Sequence, residues 1–272
     1  MKHLLWFCFF MLLVNPAIAA EPARLPDGLI VKGSNDIAEA WLVRPTGRYA
    51  HGILGDDIEA GGMMVKTSDG QLIEYVLPDE FVFEDRQVRV RDLDGDGRDE
   101  IVVVLSSRTE GGALAIYGLE GNRIVKRAQT PHIGRANRWL NPAEIADLDG
   151  DGKLDIVFVT TPHLGKVVEV WTYSSGKLKQ VTTLAGYSNH IIGSRVQDMT
   201  EVVILKDGRT ALAIPGAGYD EIAFLVLKDG RLAAVSKMPV GSRIVSRVVT
   251  SKNGRQLEFT TTKSGPAILP IP

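Results

Sequence analysis

One acidic string occurs twice, and its spacing constrains the fold more than any other feature of the chain. Asp92-Leu93-Asp94-Gly95-Asp96-Gly97 returns 55 residues later as Asp147-Leu148-Asp149-Gly150-Asp151-Gly152. Both copies run into β-branched, apolar segments, Ile101–Val104 and Ile156–Val159, which have the composition of buried strands. The pair that closes each string, Gly followed by Arg or Lys, measures the rest of the chain. It stands at Gly47-Arg48, Gly97-Arg98, Gly152-Lys153, Gly208-Arg209 and Gly254-Arg255, at spacings of 50, 55, 56 and 46. A second glycine turn follows 22–24 residues after four of these, at Gly70, Gly121, Gly176 and Gly230.

A period near 50 residues, two glycine turns per period and almost no helical periodicity predict an all-β repeat fold. Four-stranded units of that length, repeated around an axis, are the blades of a β-propeller. A two-sheet sandwich gives no reason for such a period. The expectation is therefore five four-stranded blades at residues 36–80, 81–130, 131–184, 185–238 and 239–272. The last repeat is one strand short. Asp27–Lys32 supplies a spare strand at the other end of the chain, so residues 27–34 are expected to complete the final blade and close the ring.

Residues 1–19 read as an address. A positive start at Lys2 precedes the apolar run Leu4–Val14, and Ala17-Ile18-Ala19 fits cleavage near Ala19. The run is about 11 residues, against the ~20 that a membrane-spanning helix needs. Cleavage leaves residues 20–272 as one domain without a transmembrane segment, periplasmic or secreted. It also removes Cys8, the only cysteine, so neither a disulfide framework nor a cysteine-ligated metal is available. With 31 basic and 33 acidic residues, the charge is too balanced for a nucleic-acid binder driven by bulk charge.

The acidic strings themselves predict metal. Carboxylates stand at positions 1, 3, 5 and 9 of each: Asp92, Asp94, Asp96 and Glu100, then Asp147, Asp149, Asp151 and Asp155. Calcium takes six to eight oxygens, and the backbone carbonyl at position 7 adds another. A turn without an ion leaves four like charges crowded together. The equivalent positions hold Val203, Leu205 and Ala211 in the fourth repeat and Val249, Ser251 and Leu257 in the fifth, so two calcium sites are expected. The string with its following strand resembles the FG-GAP/VCBS repeat of integrin-like propellers and of many exported bacterial proteins. That resemblance implies a calcium-bearing propeller, often a binding scaffold, and no single activity.

In an up-and-down blade the calcium turns share one face, and the longer loops and blade links share the other. The second face collects His132, Arg135 and Arg138 on one link, His163 on a loop, His190 on the next link, and Asp56, Asp57 and Glu59. This set is the candidate ligand site, for a protein or a carbohydrate. Arg135 and Arg138 would meet an anionic ligand or bridge neighbouring blades. Trp139 and Trp171 are expected to pack between blades. The chain contains no Ser-His-Asp string, nucleotide loop or His-Glu-x-x-His. The reading is therefore a binding module. The alternative is a carbohydrate-active hydrolase or lyase using carboxylates on the same loop face, and a third is a subunit of an envelope complex.

Overall fold

Strands that are apolar along most of their length can be buried on both faces, and such strands sit in the middle of every sheet but the last. The computed structural model describes residues 21–272, so the expected signal segment and its cleavage site lie outside the described residues. All regular structure is β. The first unit holds β1 (Val31–Lys32), β2 (Ile37–Thr46), β3 (Glu59–Thr67) and β4 (Leu72–Val76). The second holds β5 (Phe81–Phe83), β6 (Arg89–Arg91), β7 (Glu100–Ser107), β8 (Gly111–Glu120) and β9 (Arg123–Gln129). β5 and β6 both pair with β7, as two halves of one strand position interrupted at Glu84–Val88. A single pair, Ala60 with Phe83, joins these two units into one nine-stranded sheet.

Two four-stranded antiparallel sheets follow. The first is β10 (Leu140–Ala146), β11 (Asp155–Thr160), β12 (Val167–Ser174) and β13 (Lys177–Ala185). The second is β14 (Glu201–Ile204), β15 (Thr210–Pro215), β16 (Glu221–Lys228) and β17 (Arg231–Pro239). A three-stranded sheet ends the chain: β18 (Val249–Thr250), β19 (Gln256–Thr261) and β20 (Gly265–Pro270).

The core follows from the two-residue side-chain period. Ile101, Val103 and Leu105 of β7 pack toward the first unit, and Val102 and Val104 toward the third. Ile156 and Phe158 of β11 face the second unit, while Val157 and Val159 face the fourth. Ile222, Phe224 and Val226 of β16 turn to the last sheet, and Ala223, Leu225 and Leu227 turn back. Trp139 and Trp171 both pack in the cluster between the second and third units, as expected. The arrangement is propeller-like.

Ring closure by the N-terminal strand does not form. Val31 and Lys32 pair with Ala40 and Glu39 of β2, so they complete the first unit and leave the last one short. Among the described residues, no hydrogen bond, ion pair or core cluster joins the last sheet to the first. Two local causes are visible. At the start of the chain, the fully buried Asp99 carboxylate accepts the N–H groups of Ser34, Asn35 (2.7 Å) and Ile37, and fastens the β1–β2 turn to β7. The turn passes so close that a Cβ on Gly33 would clash with the Ile37 carbonyl.

At the other end, the Ile271 N–H bonds to the Arg255 carbonyl, which sets the register of β20 against β19. Gly265, Ala267 and Leu269 then donate inward, and the outward positions are Pro266, Ile268, Pro270 and Pro272. Three of those four have no N–H to offer. The final edge is therefore a poor template for another strand.

The connection Gly186–Thr200 carries no strand and runs inward. Its buried side-chain amides donate to partners, while Asn189 Oδ1 is buried without one. Asn189 Nδ2 donates to the Asn141 carbonyl (3.1 Å), Asn141 Nδ2 to the Gln197 carbonyl (2.8 Å), and Gln197 Nε2 to Asp85 (2.9 Å). A long segment is tolerated inside a fold only when its backbone and amides are satisfied in this way. The same segment reaches the first unit through Gly193 N–H to Ile53 O and Arg195 to Asp56.

Candidate functional site

The two acidic turns are built alike and stand at equivalent places, between β6 and β7 and between β10 and β11. The first aspartate holds the turn closed. Asp92 accepts the N–H groups of Gly95 (2.8 Å) and Gly97 (3.0 Å), and Asp147 those of Gly150 (2.8 Å) and Gly152 (2.9 Å). These four glycines have φ between +75° and +83°, where a Cβ is strained. The ninth residue reaches back from the following strand. Glu100 Oε2 accepts from Leu93 N–H (2.9 Å), and Asp155 Oδ2 from Leu148 N–H (3.0 Å). Asp92, Asp94 and Asp96 place carboxylate oxygens within 4.8 Å of one another, as do Asp147, Asp149 and Asp155.

The other oxygen of Glu100 is buried without a hydrogen-bond partner; the Arg127 guanidinium lies 3.9 Å away. Burial pushes Glu100 up to about 7 and Asp155 to about 6, with neighbouring carboxylates adding to the rise and the backbone N–H groups opposing it. The three clustered carboxylates of each turn are an oxygen donor set that fits a hard divalent cation; of the expected ligands, Glu100 and Asp151 are not part of these clusters. In the fourth unit Val203, Leu205 and Ala211 are packed in the apolar core instead.

A cavity of about 320 Å³ opens on the opposite end of the sheets. The β2–β3 and β11–β12 loops and the links before β10 and β14 form it, bringing together His51, Arg138, Trp139 and His163 under an apolar rim of Leu164 and Ile192. His51 Nδ1 and Glu84 Oε1 share a hydrogen bond at 2.5 Å. Glu84 is fully buried in the gap between β5 and β6, and its other oxygen accepts from Ser106 Oγ. Burial drives the Glu84 carboxyl upward, against the pull of His51 and Ser106. Trp139 donates its indole N–H to the Glu84 carbonyl (2.9 Å), which locks the ring beneath the cavity. His163 stacks parallel to Trp139, with centroids 6.4 Å apart.

His163 Nε2 meets His190 Nδ1 at 3.0 Å, and His190 Nε2 donates to the Ser194 carbonyl at 2.8 Å. Burial lowers His163 to about 4 and His190 to about 3, so both imidazoles are neutral at pH 7. Two residues on the cavity wall hold left-handed backbone, Asn137 (φ 54°) and the β-branched Thr161 (φ 46°). Each such residue costs about 1–3 kcal/mol, and the surrounding fold must hold it in place.

The predicted ligand set separates. His163 and His190 meet, and Arg138 joins them at the cavity mouth. His132 does not: its Nδ1 donates to the Gly111 carbonyl (2.7 Å) in a separate depression beside Glu169 and Trp171. Arg135 is exposed, and neither Arg135 nor Arg138 forms an ion pair among the described residues. Asp56 is engaged by Arg195 (2.9 Å), and Asp57 is exposed. Glu59 is no loop residue; it opens β3 and is 2% exposed. Burial, then the charge of Glu84, pushes it up to about 10.

Sequence reasoning missed His51, Glu84 and Ser106. The only signal was an acidic pair, Glu84-Asp85, directly after the apolar Phe81-Val82-Phe83, where a strand should have continued.

Comparison with known proteins bears on the acidic turns. Residues 92–158 match the family described as FG-GAP-like repeat. The matched stretch runs from the first acidic turn into the strand that follows the second and contains β7 to β10 whole. No curated protein matches the chain.

Among solved structures, the chain is similar to a putative 6-phosphogluconolactonase from Bacteroides fragilis, at 14% identity and a TM-score of 0.47, over 88% of this chain and 75% of that one. It is similar to the exotype rhamnogalacturonan lyase YesX at 14% identity and a TM-score of 0.45, over 92% of this chain and 58% of that one. A Lactobacillus plantarum protein follows at 12% identity and 0.44, over 78% and 62%.

Proposed function

We propose that the chain is an exported β-propeller of five blades that binds calcium at two turns and acts as a binding module for a protein or carbohydrate ligand. The blades begin near residues 36, 81, 131, 185 and 239, after a signal segment cleaved near Ala19. The observation that carries the reading is the cluster of three carboxylates in each turn, Asp92, Asp94 and Asp96 and then Asp147, Asp149 and Asp155, in the stretch that matches the FG-GAP-like repeat; the first turn adds the buried Glu100 Oε1, which has no hydrogen-bond partner. A cation there relieves carboxylate repulsion and completes the hydrogen bonding that the protein leaves open. Asp92, Asp94, Asp96 and Glu100 would hold one ion, and Asp147, Asp149, Asp151 and Asp155 the other. The role is structural, because each turn is tied to the strand that follows it, through Glu100 on Leu93 N–H and Asp155 on Leu148 N–H.

Binding is favoured over a carboxylate-driven hydrolase on the far face, because Glu59 and Glu84 are buried and do not line the cavity, and Asp56 is ion-paired. Thermal unfolding with excess calcium and with EDTA tests the reading. At calcium 100-fold above Kd each site adds about 2.7 kcal/mol, or roughly 5–10 °C in a domain of this size. An unchanged melting temperature contradicts it.

A further inference from the structure

The cavity on the face opposite the acidic turns has chemistry of its own. Glu84 Oε1 occupies His51 Nδ1, so Nε2 is the imidazole atom left without a protein partner. On the second wall a carbonyl settles the tautomers. Ser194 O can only accept, so His190 carries its proton on Nε2, and its Nδ1 accepts from His163 Nε2–H. His163 Nδ1 is then a lone pair on a cavity-lining ring with no protein partner. Arg138 at the mouth spends one N–H on the neighbouring Asn137 carbonyl (2.8 Å) and makes no ion pair among the described residues. Leu164 and Ile192, 65% and 67% exposed, form an apolar lip over it. A fixed acceptor on His163, the free His51 Nε2, one free guanidinium and an apolar lip around a space of about 320 Å³ are a built site, in the size range of small-molecule pockets.

We propose that this cavity binds a small, ring-sized carboxylic acid that carries a hydroxyl group. The carboxylate sits on Arg138, the hydroxyl donates to His163 Nδ1 with His51 Nε2 beside it, and the ring lies between Leu164 and Ile192. Glu84 and Ser106 are positioning residues that hold the His51 ring in one orientation. The buried Glu84–His51 pair and the left-handed Thr161 keep the two imidazoles fixed before the ligand arrives, which lowers the ordering cost of binding.

The test uses the mature chain, saturated with calcium and labelled with ¹⁵N-histidine, titrated separately with 4-hydroxybenzoate, benzoate and phenol. The expected result is saturable movement of the His51 and His163 ring nitrogens by 4-hydroxybenzoate, with Kd on the order of 1 mM for a ligand of this size. Benzoate lacks the donor and phenol lacks the anion, and each binds roughly 10-fold more weakly, the loss of about one hydrogen bond. Arg138→Ala removes the advantage of 4-hydroxybenzoate over phenol and leaves phenol unchanged; the side chain is at the surface, so the fold survives. Three results overturn the proposal: no shift at His51 or His163 with any of the three, equal binding of benzoate and 4-hydroxybenzoate, or an Arg138→Ala chain that keeps its preference.

Discussion

Glu59 and Glu84 show how a few side chains set the behaviour of this protein. Glu59 is buried beside Glu84, and its carboxyl is pushed up to about 10, so the folded chain holds a proton there that the unfolded chain releases above about 4.3. For an acid raised in this way, stability falls as pH climbs from the unfolded toward the folded value. Glu59→Gln keeps the shape and removes the titration. The variant should match the parent near pH 4 and exceed it by roughly 2–4 kcal/mol at pH 8, read from urea unfolding at the two pH values. A constant difference across that range contradicts the assignment. His163 and His190 act with the opposite sign. Their lowered values mean that the unfolded chain takes up protons first, so their contribution is lost as pH falls from about 6.5 through about 4 and 3. None of this was legible in the sequence for Glu59, which read as one acid of the exposed run Asp56-Asp57-Ile58-Glu59. Its burial comes from pairing across β2 and from Glu84, which stands 25 positions away.

At the scale of elements, the two ends of the chain solve different problems. The N-terminal strand is recruited locally, because Asp99 gathers three N–H groups of the turn that follows it. The C-terminal strand is left at an edge and is protected by prolines at its outward positions. Pro266→Val with Pro270→Val restores two outward N–H groups beside Ile268, which is 63% exposed. Such an edge pairs with itself, so the double variant should elute as a dimer or larger species in size-exclusion chromatography with light scattering. A monomer contradicts the edge argument.

The glycine pairs and acidic strings made the strand count and turns readable, because turn chemistry is local and each string sits beside its own strand. The partner of Gly28–Lys32 was not readable. Which sheet an end strand joins depends on a carboxylate 60 to 70 residues away and on the register parity of Pro266, Pro270 and Pro272, which only pairing reveals.

For the whole molecule, the units stack through clusters that each middle strand shares between its two faces, and the Gly186–Thr200 connection ties the later units back to the first. The candidate cavity depends on that tie, since His190 and Ile192 come from it and His51 from the first unit. Half of the site was visible as His163, His190 and Arg138. The other half, His51 with Glu84 and Ser106, comes from two units whose loops converge only in the folded chain. The acidic turns lie at the other end of the sheets. The proposed calcium turns and the proposed ligand cavity therefore stand at opposite ends of the sheets.

The proposed calcium turns can be measured alone. Isothermal titration of the metal-free mature chain with calcium should give two ions per chain, with one lost in Asp92→Asn and the other in Asp147→Asn, each variant remaining folded. A chain that binds no calcium, or binds it equally well in both variants, contradicts the account.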